Sequence, residues 1–146
     1  MNKLIYCLTL ILSFLSINTN TFAQCDIIYV STTGNDANPG TETFPVATLN
    51  TAMTLVSGTR TTVRMTGGVY NEANIISLMD DVHIDGAYVV AAGVWTKSTA
   101  QTTTINFSGA ETVIGLTHRM GFAANGISNG SLQDLTITTT DIFGTT

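Results

Sequence analysis

The chain has 146 residues, ten acidic and five basic side chains and a net charge of −5. Cations so few and scattered exclude a nucleic-acid partner held through its phosphates, which needs a clustered basic face. Thr, Ser, Asn and Gly fill most polar positions, a composition suited to a solvated, extracellular or carbohydrate-facing surface.

Met1-Asn2-Lys3 is a short positive head, residues 4–17 are almost unbroken apolar sequence, and Thr21-Phe22-Ala23 offers small residues where a signal peptidase reads. The expectation is a secretory signal peptide over residues 1–23, cleaved after Ala23. The apolar run is shorter than the ~20 residues of a spanning helix, so no membrane segment is expected to be retained. Cys7 leaves with the leader and Cys25 remains as the single mature thiol, which rules out an intrachain disulfide framework. Gln24 is a poor residue before a lipidated cysteine, so a free or later-paired Cys25 is expected.

Ile27-Ile28-Tyr29-Val30 is a β-branched and aromatic run that reads as a strand. Gly34, Asn35, Asp36, Asn38, Pro39 and Gly40 then supply turn conformations and side-chain-to-backbone hydrogen bonds. Thr48 can cap a helix in which Leu49, Ala52, Met53 and Val56 fall on one apolar face, with Gly58 at its stop. Two to three turns of helix are marginal in water, so this one must lie on an apolar seat. A second strand over residues 62–65 leads to Gly67 and Gly68, which turn the chain.

The order of these pieces resembles the N-terminal segment of the pectin-lyase-like right-handed parallel β-helix proteins. The matching residues are Tyr29-Val30-Ser31, Gly34-Asn35-Asp36-Ala37-Asn38-Pro39-Gly40, Phe44-Pro45-Val46-Ala47-Thr48 and Gly67-Gly68-Val69-Tyr70-Asn71-Glu72. Gly67 stands where that family often has proline. Trp95-Thr96-Lys97-Ser98, within residues 86–98, resembles a variant seen in secreted surface β-helix proteins, and a mature N-terminal Gln24 resembles secreted surface proteins of the Bacteroidetes type. The resemblance implies an all-β fold: a right-handed single-stranded parallel β-helix, or solenoid, with an N-terminal capping helix, occupying residues 24–146. It does not select among lyases, hydrolases, epimerases and adhesins.

Val63, Ile84 and Ile105 recur at one period and predict a single inward column. Thr62, His83 and Thr104, and likewise Arg64, Asp85 and Asn106, would then form outward ladders about 4.8 Å apart from rung to rung. Arg64 over Asp85 would be an exposed ion pair. Ile75, Ile76 and Leu78 would supply another wall of the first turn, and Tyr88-Val89-Val90 with Val94-Trp95-Thr96 would serve the second. Thr112-Val113-Ile114-Gly115-Leu116, Gly121-Phe122-Ala123 and Leu135-Thr136-Ile137-Thr138 read as further strands, with corners at Asn125-Gly126, Asn129-Gly130 and Asp134. An antiparallel β-sandwich is the alternative architecture. Because residues 138–146 carry no cap of their own, the expectation is the front part of a longer protein.

Lyases of this fold hold Ca²⁺ on outward carboxylates with Arg or Lys as base, and the hydrolases use paired carboxylates. Asp80, Asp81, His83 and Asp85 form the one local cluster of that kind and are the candidate substrate-binding residues; His118 and Arg119 form a thinner one. A polar corner is the favoured account of Asp80-Asp81, and a surface residue that of His83. The run from Asp36 to Glu42 lacks the spacing of a calcium loop, so Asx turns account for it better and no cofactor is assigned. Arg64, Lys97 and Arg119 are scattered as bases, and no Gly-x-Ser-x-Gly, His-Glu-x-x-His or phosphate-cradling loop appears. The functional expectation is a secreted or cell-surface protein engaging extracellular polysaccharide or surface glycan, adhesin-like. The alternative is the N-terminal part of a polysaccharide lyase or glycoside hydrolase.

Overall fold

The computed structural model describes residues 26–113 and 116–139, with 110–113 and 116–119 by backbone alone. The expected leader, Cys25 and residues 140–146 lie outside the described residues. The regular structure of the described chain is almost all strand, with one short helix. In chain order it runs through β1 (Ile27–Val30), α1 (Leu49–Thr54), β2 (Thr62–Thr66), β3 (Gly68–Glu72), β4 (Ile76–Ser77), β5 (His83–Ala91), β6 (Val94–Lys97) and β7 (Thr103–Phe107). There follow β8 (Ala110–Val113), β9 (Leu116–Arg119), β10 (Phe122–Ala123), β11 (Ser131–Gln133) and β12 (Leu135–Thr139).

Three of its sheets are built on parallel pairing. The first has the order β1-β2-β5-β11, the second β3-β7-β12, and the third joins β4 to β10. Parallel neighbours need crossover connections, so an antiparallel sandwich does not describe this chain. Among the described strands antiparallel pairing is confined to two hairpins, β5 with β6 and β8 with β9, with one isolated antiparallel bridge between Ser57 and Arg60.

The registers correct the single-column reading. Val63 does lie beside Ile84 in the first sheet, and Thr62 beside His83. Ile105, however, pairs with Tyr70 and Ile137 in the second sheet, where Thr104 pairs with Val69 and Asn106 with Asn71. The column beyond Ile84 continues at Leu132. Alternating apolar and polar residues look the same in every sheet, so equal spacing along the chain did not distinguish one sheet from another. A second correction concerns residues 88–97. Tyr88, Val89 and Val90 pair antiparallel with Lys97, Thr96 and Trp95 around Ala92 and Gly93, whose φ angles are +51° and +81°. That is a two-residue hairpin turn rather than two walls. A third is that residues 112 and 113 belong to β8 and residue 116 to β9, so one strand does not span 112–116.

Ile28, Val30, Val63, Met65, Ile84, Ile105 and Phe107 point into one apolar core with Tyr70, Ile76 and Val82. The hydrophobic contribution of each fully buried side chain is roughly 1.5–3 kcal/mol. Tyr29, alternating to the other face of β1, packs in a separate cluster with Tyr88 and Trp95. Its ring lies 4.8 Å from that of Trp95, edge to face.

Between Arg64 and Thr66 the pairing of β2 with β5 slips by one residue, and Ala87 takes the left-handed φ of +63°. Such a bulge strips backbone groups of their ladder partners. Thr103, wholly buried, supplies a partner here: its hydroxyl accepts from Ala87 N at 2.8 Å and donates to Thr66 O at 3.0 Å, which also accepts from the Tyr70 hydroxyl at 3.1 Å. Gly86 sits beside this point, where a Cβ would meet Asp134 O at 2.4 Å and Thr103 Cβ at 2.8 Å. Only glycine admits that approach.

Thr48 caps α1 as expected, accepting from Thr51 N at 3.1 Å, and Leu49, Ala52 and Met53 are buried. The helix stops earlier than expected, at Thr54, so half-buried Val56 lies beyond it. It packs against β1, β3 and β4. Glu72 is 3 % exposed and accepts from Leu49 N at 2.7 Å. Burial raises its carboxyl above the ordinary 4.5; bonds from Leu49 and Asn50 pull it down and Asp36 nearby pushes it up. Asp36 is the opposite case. Burial would raise its carboxyl, but Thr48 N, Ala47 N and the Thr48 hydroxyl outweigh that and hold it below 3.8.

Two expectations follow. Thr103→Val keeps the shape and removes both bonds. Thr66 O keeps the Tyr70 hydroxyl, so the cost is that of leaving Ala87 N unpaired, about 1–3 kcal/mol, read as a lower urea midpoint; Thr103→Ser should keep most of that stability. For Glu72, a raised folded value favours the neutral acid, so its contribution is full below about 4.5 and is lost as pH rises through the folded value. The melting temperature of wild type relative to Glu72→Gln should therefore fall on going upward from pH 4.5, and a rising difference would refute the assignment.

Candidate functional site on the outer face of the first sheet

Alternation along β2, β5 and β11 turns every second side chain outward. Register places Thr62, His83 and Ser131 in one row and Arg64, Asp85 and Gln133 in the next. His83 and Gln133 are exposed and the other four half-buried. His83 Nδ1 lies 2.8 Å from Ser131 Oγ, a hydrogen bond joining adjacent strands.

The expected pair of Arg64 with Asp85 has the right register and the wrong partner. Asp85 is ion-paired to Lys97 and accepts from the Tyr88 hydroxyl at 2.9 Å. Lys97 also pairs with Asp134, joining the hairpin to the corner between β11 and β12. Because β6 folds back on β5, Lys97 lies opposite Tyr88 and reaches Asp85 first. The Arg64 guanidinium lies 5.3 Å from the centre of the Tyr88 ring instead, with the Lys97 ammonium 5.6 Å from the same centre. Burial raises the Tyr88 hydroxyl above 10.0, and its bond to the Asp85 carboxylate raises it further. Burial would lower Lys97, but Asp134 and Asp85 outweigh it and hold the ammonium above 10.5.

The four candidates therefore divide. His83 and Asp85 face outward from β5. Asp80 and Asp81 form the corner before it: Asp80 Oδ1 accepts from Ser128 N at 2.6 Å, and Asp81, at φ +59°, donates its N–H to Ser128 O at 3.0 Å. The side chains of His118 and Arg119 lie outside the described residues. Sequence reasoning missed Tyr88, Lys97 and Asp134 as partners of this face. The available signal was Ala92-Gly93 between two β-rich runs, which would have folded Lys97 back onto Asp85.

Beside the ion group lies an open cleft of about 350 Å³, lined by Lys97, Ser98, Gln101, Asp134 and Thr136 among others. Among the described residues no group of three His, Cys, Asp or Glu side chains could hold a metal ion. The Asp36 loop uses its carboxylate on Ala47 and Thr48, with Ala37 N donating to Asn35 Oδ1 at 2.9 Å. Arg60 donates to the carbonyls of Pro39 and Gly40, each at 2.8 Å. With Arg64 over an aromatic ring and Lys97 between two carboxylates, the three described cations are all engaged. The face offers hydroxyl, imidazole and amide groups, a set that hydrogen-bonds neutral polar ligands.

Direct observation of the Lys97 ammonium by NMR should give a titration above 10.5 in the wild type, moving down in Asp85→Asn, Asp134→Asn. An unmoved titration would show that these carboxylates do not hold the proton. No helix among the described residues is long and apolar enough to cross a membrane. No family model matches this sequence, and no curated protein or solved structure matches it either.

Proposed function

We propose that the three parallel sheets are walls of a right-handed parallel β-helix of the pectin-lyase-like kind, with α1 covering one end. The side of this coil would bind extracellular polysaccharide or surface glycan within a secreted or cell-surface protein. Parallel crossovers are right-handed in about 98 % of cases, which supports the hand. The position of α1 against β1, β3 and β4, one strand from each of the three sheets, supports the capping role.

The observation that carries the binding reading is the pair of in-register polar rows on β2, β5 and β11. Their spacing of about 4.8 Å per strand presents hydrogen-bonding groups at a repeat along an extended ligand. Polysaccharide elimination needs a base able to take a proton, and the raised Lys97 favours its ammonium form. That supports binding over turnover on this face. The leader over residues 1–23 supports export.

The test is retention of the purified mature chain on immobilised neutral and acidic polysaccharides. Wild type should be retained, and His83→Ala, Gln133→Ala should lose about tenfold in affinity with an unchanged melting temperature, since a hydrogen bond contributes about 0.5–1.5 kcal/mol. No retention on any polymer, or retention unaffected by the double variant, would overturn the reading. Unsaturated product appearing with Ca²⁺ would move the protein to the lyases.

A further inference from the structure

A second concavity lies away from the His83 rows, between the loop after β1 and the tip of the β5–β6 hairpin. It measures about 370 Å³ and is lined by Ser31, Thr33, Asn38, Glu42, Val90 and Trp95 together with Thr43, Pro45 and Gly93. We propose that this cleft is a binding site for a single neutral sugar residue.

Its walls are tied in place from both sides. Trp95 Nε1 donates to Glu42 O at 3.1 Å, joining hairpin to loop, and the indole is held by Tyr29 and Tyr88, centroids 4.8 and 6.4 Å away. Asn38 Nδ2 donates to Pro45 O at 2.9 Å, which leaves its Oδ1 as an acceptor. Ser31 Oγ and Thr33 Oγ1 are 3.1 Å apart and share one proton between them, leaving the other hydroxyl proton to donate. Glu42 and Thr43 are exposed, and their side chains have no partner among the described residues. Val90, 43 % exposed on the hairpin, and Pro45 add apolar surface to the same lining.

This mixture selects the ligand class. Small-molecule sites combine an apolar wall with a few placed polar groups and start near ~300 Å³, so the cleft suits a compact ligand. A sugar ring presents hydroxyls around its rim and C–H surface on its faces, matching carboxylate, amide and hydroxyl groups beside Val90 and Pro45. An anion is disfavoured, because no cation lines the cleft and Glu42 does. A quaternary amine would want an open aromatic cage, whereas Trp95 is only 8 % exposed and packed by two tyrosines. None of Thr62, Arg64, His83, Asp85, Ser131 and Gln133 lines this cleft, so substitutions separate it from the binding proposed for those rows.

Trp95 is the only tryptophan of the chain, which makes its emission a local reporter. The mature chain is titrated with the methyl glycosides of glucose, galactose, mannose and xylose, with galacturonate and choline as charged controls. At least one neutral glycoside should change the emission saturably, and Glu42→Ala should weaken it about tenfold, the size expected for a charge-assisted hydrogen bond. Thr43→Ala gives a second, milder variant, and unchanged thermal unfolding of either shows the fold intact. No saturable change with any neutral glycoside, equal affinity in both variants, or preference for galacturonate or choline would overturn the proposal. Retention on polysaccharide through His83 and Gln133 would persist when this cleft is disabled, so failure of one reading is distinguishable from failure of the other.

Discussion

The hydroxyl of Thr103 accepts from Ala87 N, at the slip between β2 and β5, and donates to Thr66 O, which the Tyr70 hydroxyl also reaches at 3.1 Å. Both lie in the interior, where an unpaired amide or carbonyl costs the full loss of its hydration. With Ala87 N held by this side chain, β5 resumes its parallel pairing at Tyr88, opposite Thr66, and continues to Ala91 as the first arm of a hairpin. The hairpin then places Tyr88, Trp95 and Lys97 over the outside of the first sheet.

What could be read from sequence was local. The strand at Ile27–Val30, the Thr48 cap and the burial of Leu49, Ala52 and Met53 depend on neighbours a few residues away, and the structure has them. The outward position of His83 and Asp85 followed from alternation alone. Ile105 was assigned to the wrong sheet because its alternating surroundings fit any wall equally, and the ten residues of the hairpin intervene between the rungs it was meant to join. Ala92 hid the hairpin, since left-handed turns usually announce themselves as Asn-Gly or Asp-Gly. The partner of Asp85 was missed for a related reason: Lys97 reaches it only through that turn, whose one signal was Gly93 after Ala92, and Asp134 reaches Lys97 only through a later corner.

Electrostatics give the molecule its chemical character. Arg60 holds the loop after β1 by its carbonyls, Arg64 lies over Tyr88, and Lys97 bridges two carboxylates. Among the described residues these three cations hold architecture together, while His83 and Gln133, the exposed members of the polar rows on the first sheet, offer an imidazole and an amide. On the second sheet the same preference recurs, with Asn106 Nδ2 donating to Asn71 Oδ1 at 3.1 Å and the Thr138 hydroxyl bonded to Asn106 Oδ1. Rows of this kind interact with solvent and with polar ligands through directional bonds, which depend weakly on salt.

The margin beside β1 differs from that of most outer strands. Tyr29 N donates to Gly40 O at 3.0 Å, Ser31 N to Val46 O at 2.9 Å, and Val46 N to Tyr29 O at 3.0 Å, so the loop that turns away from β1 comes back to occupy its free side. Gly34 makes room for that return, since a Cβ there would lie 2.2 Å from Val46 O. An unoccupied strand margin is a template on which another chain can pair and aggregate. Here that template is consumed by the chain itself, and Arg60 fastens the loop over it. The first sheet is therefore closed against strand addition on its β1 side by its own chain, which gives it a polarity: that side is protected from self-association without a charged or bulged edge.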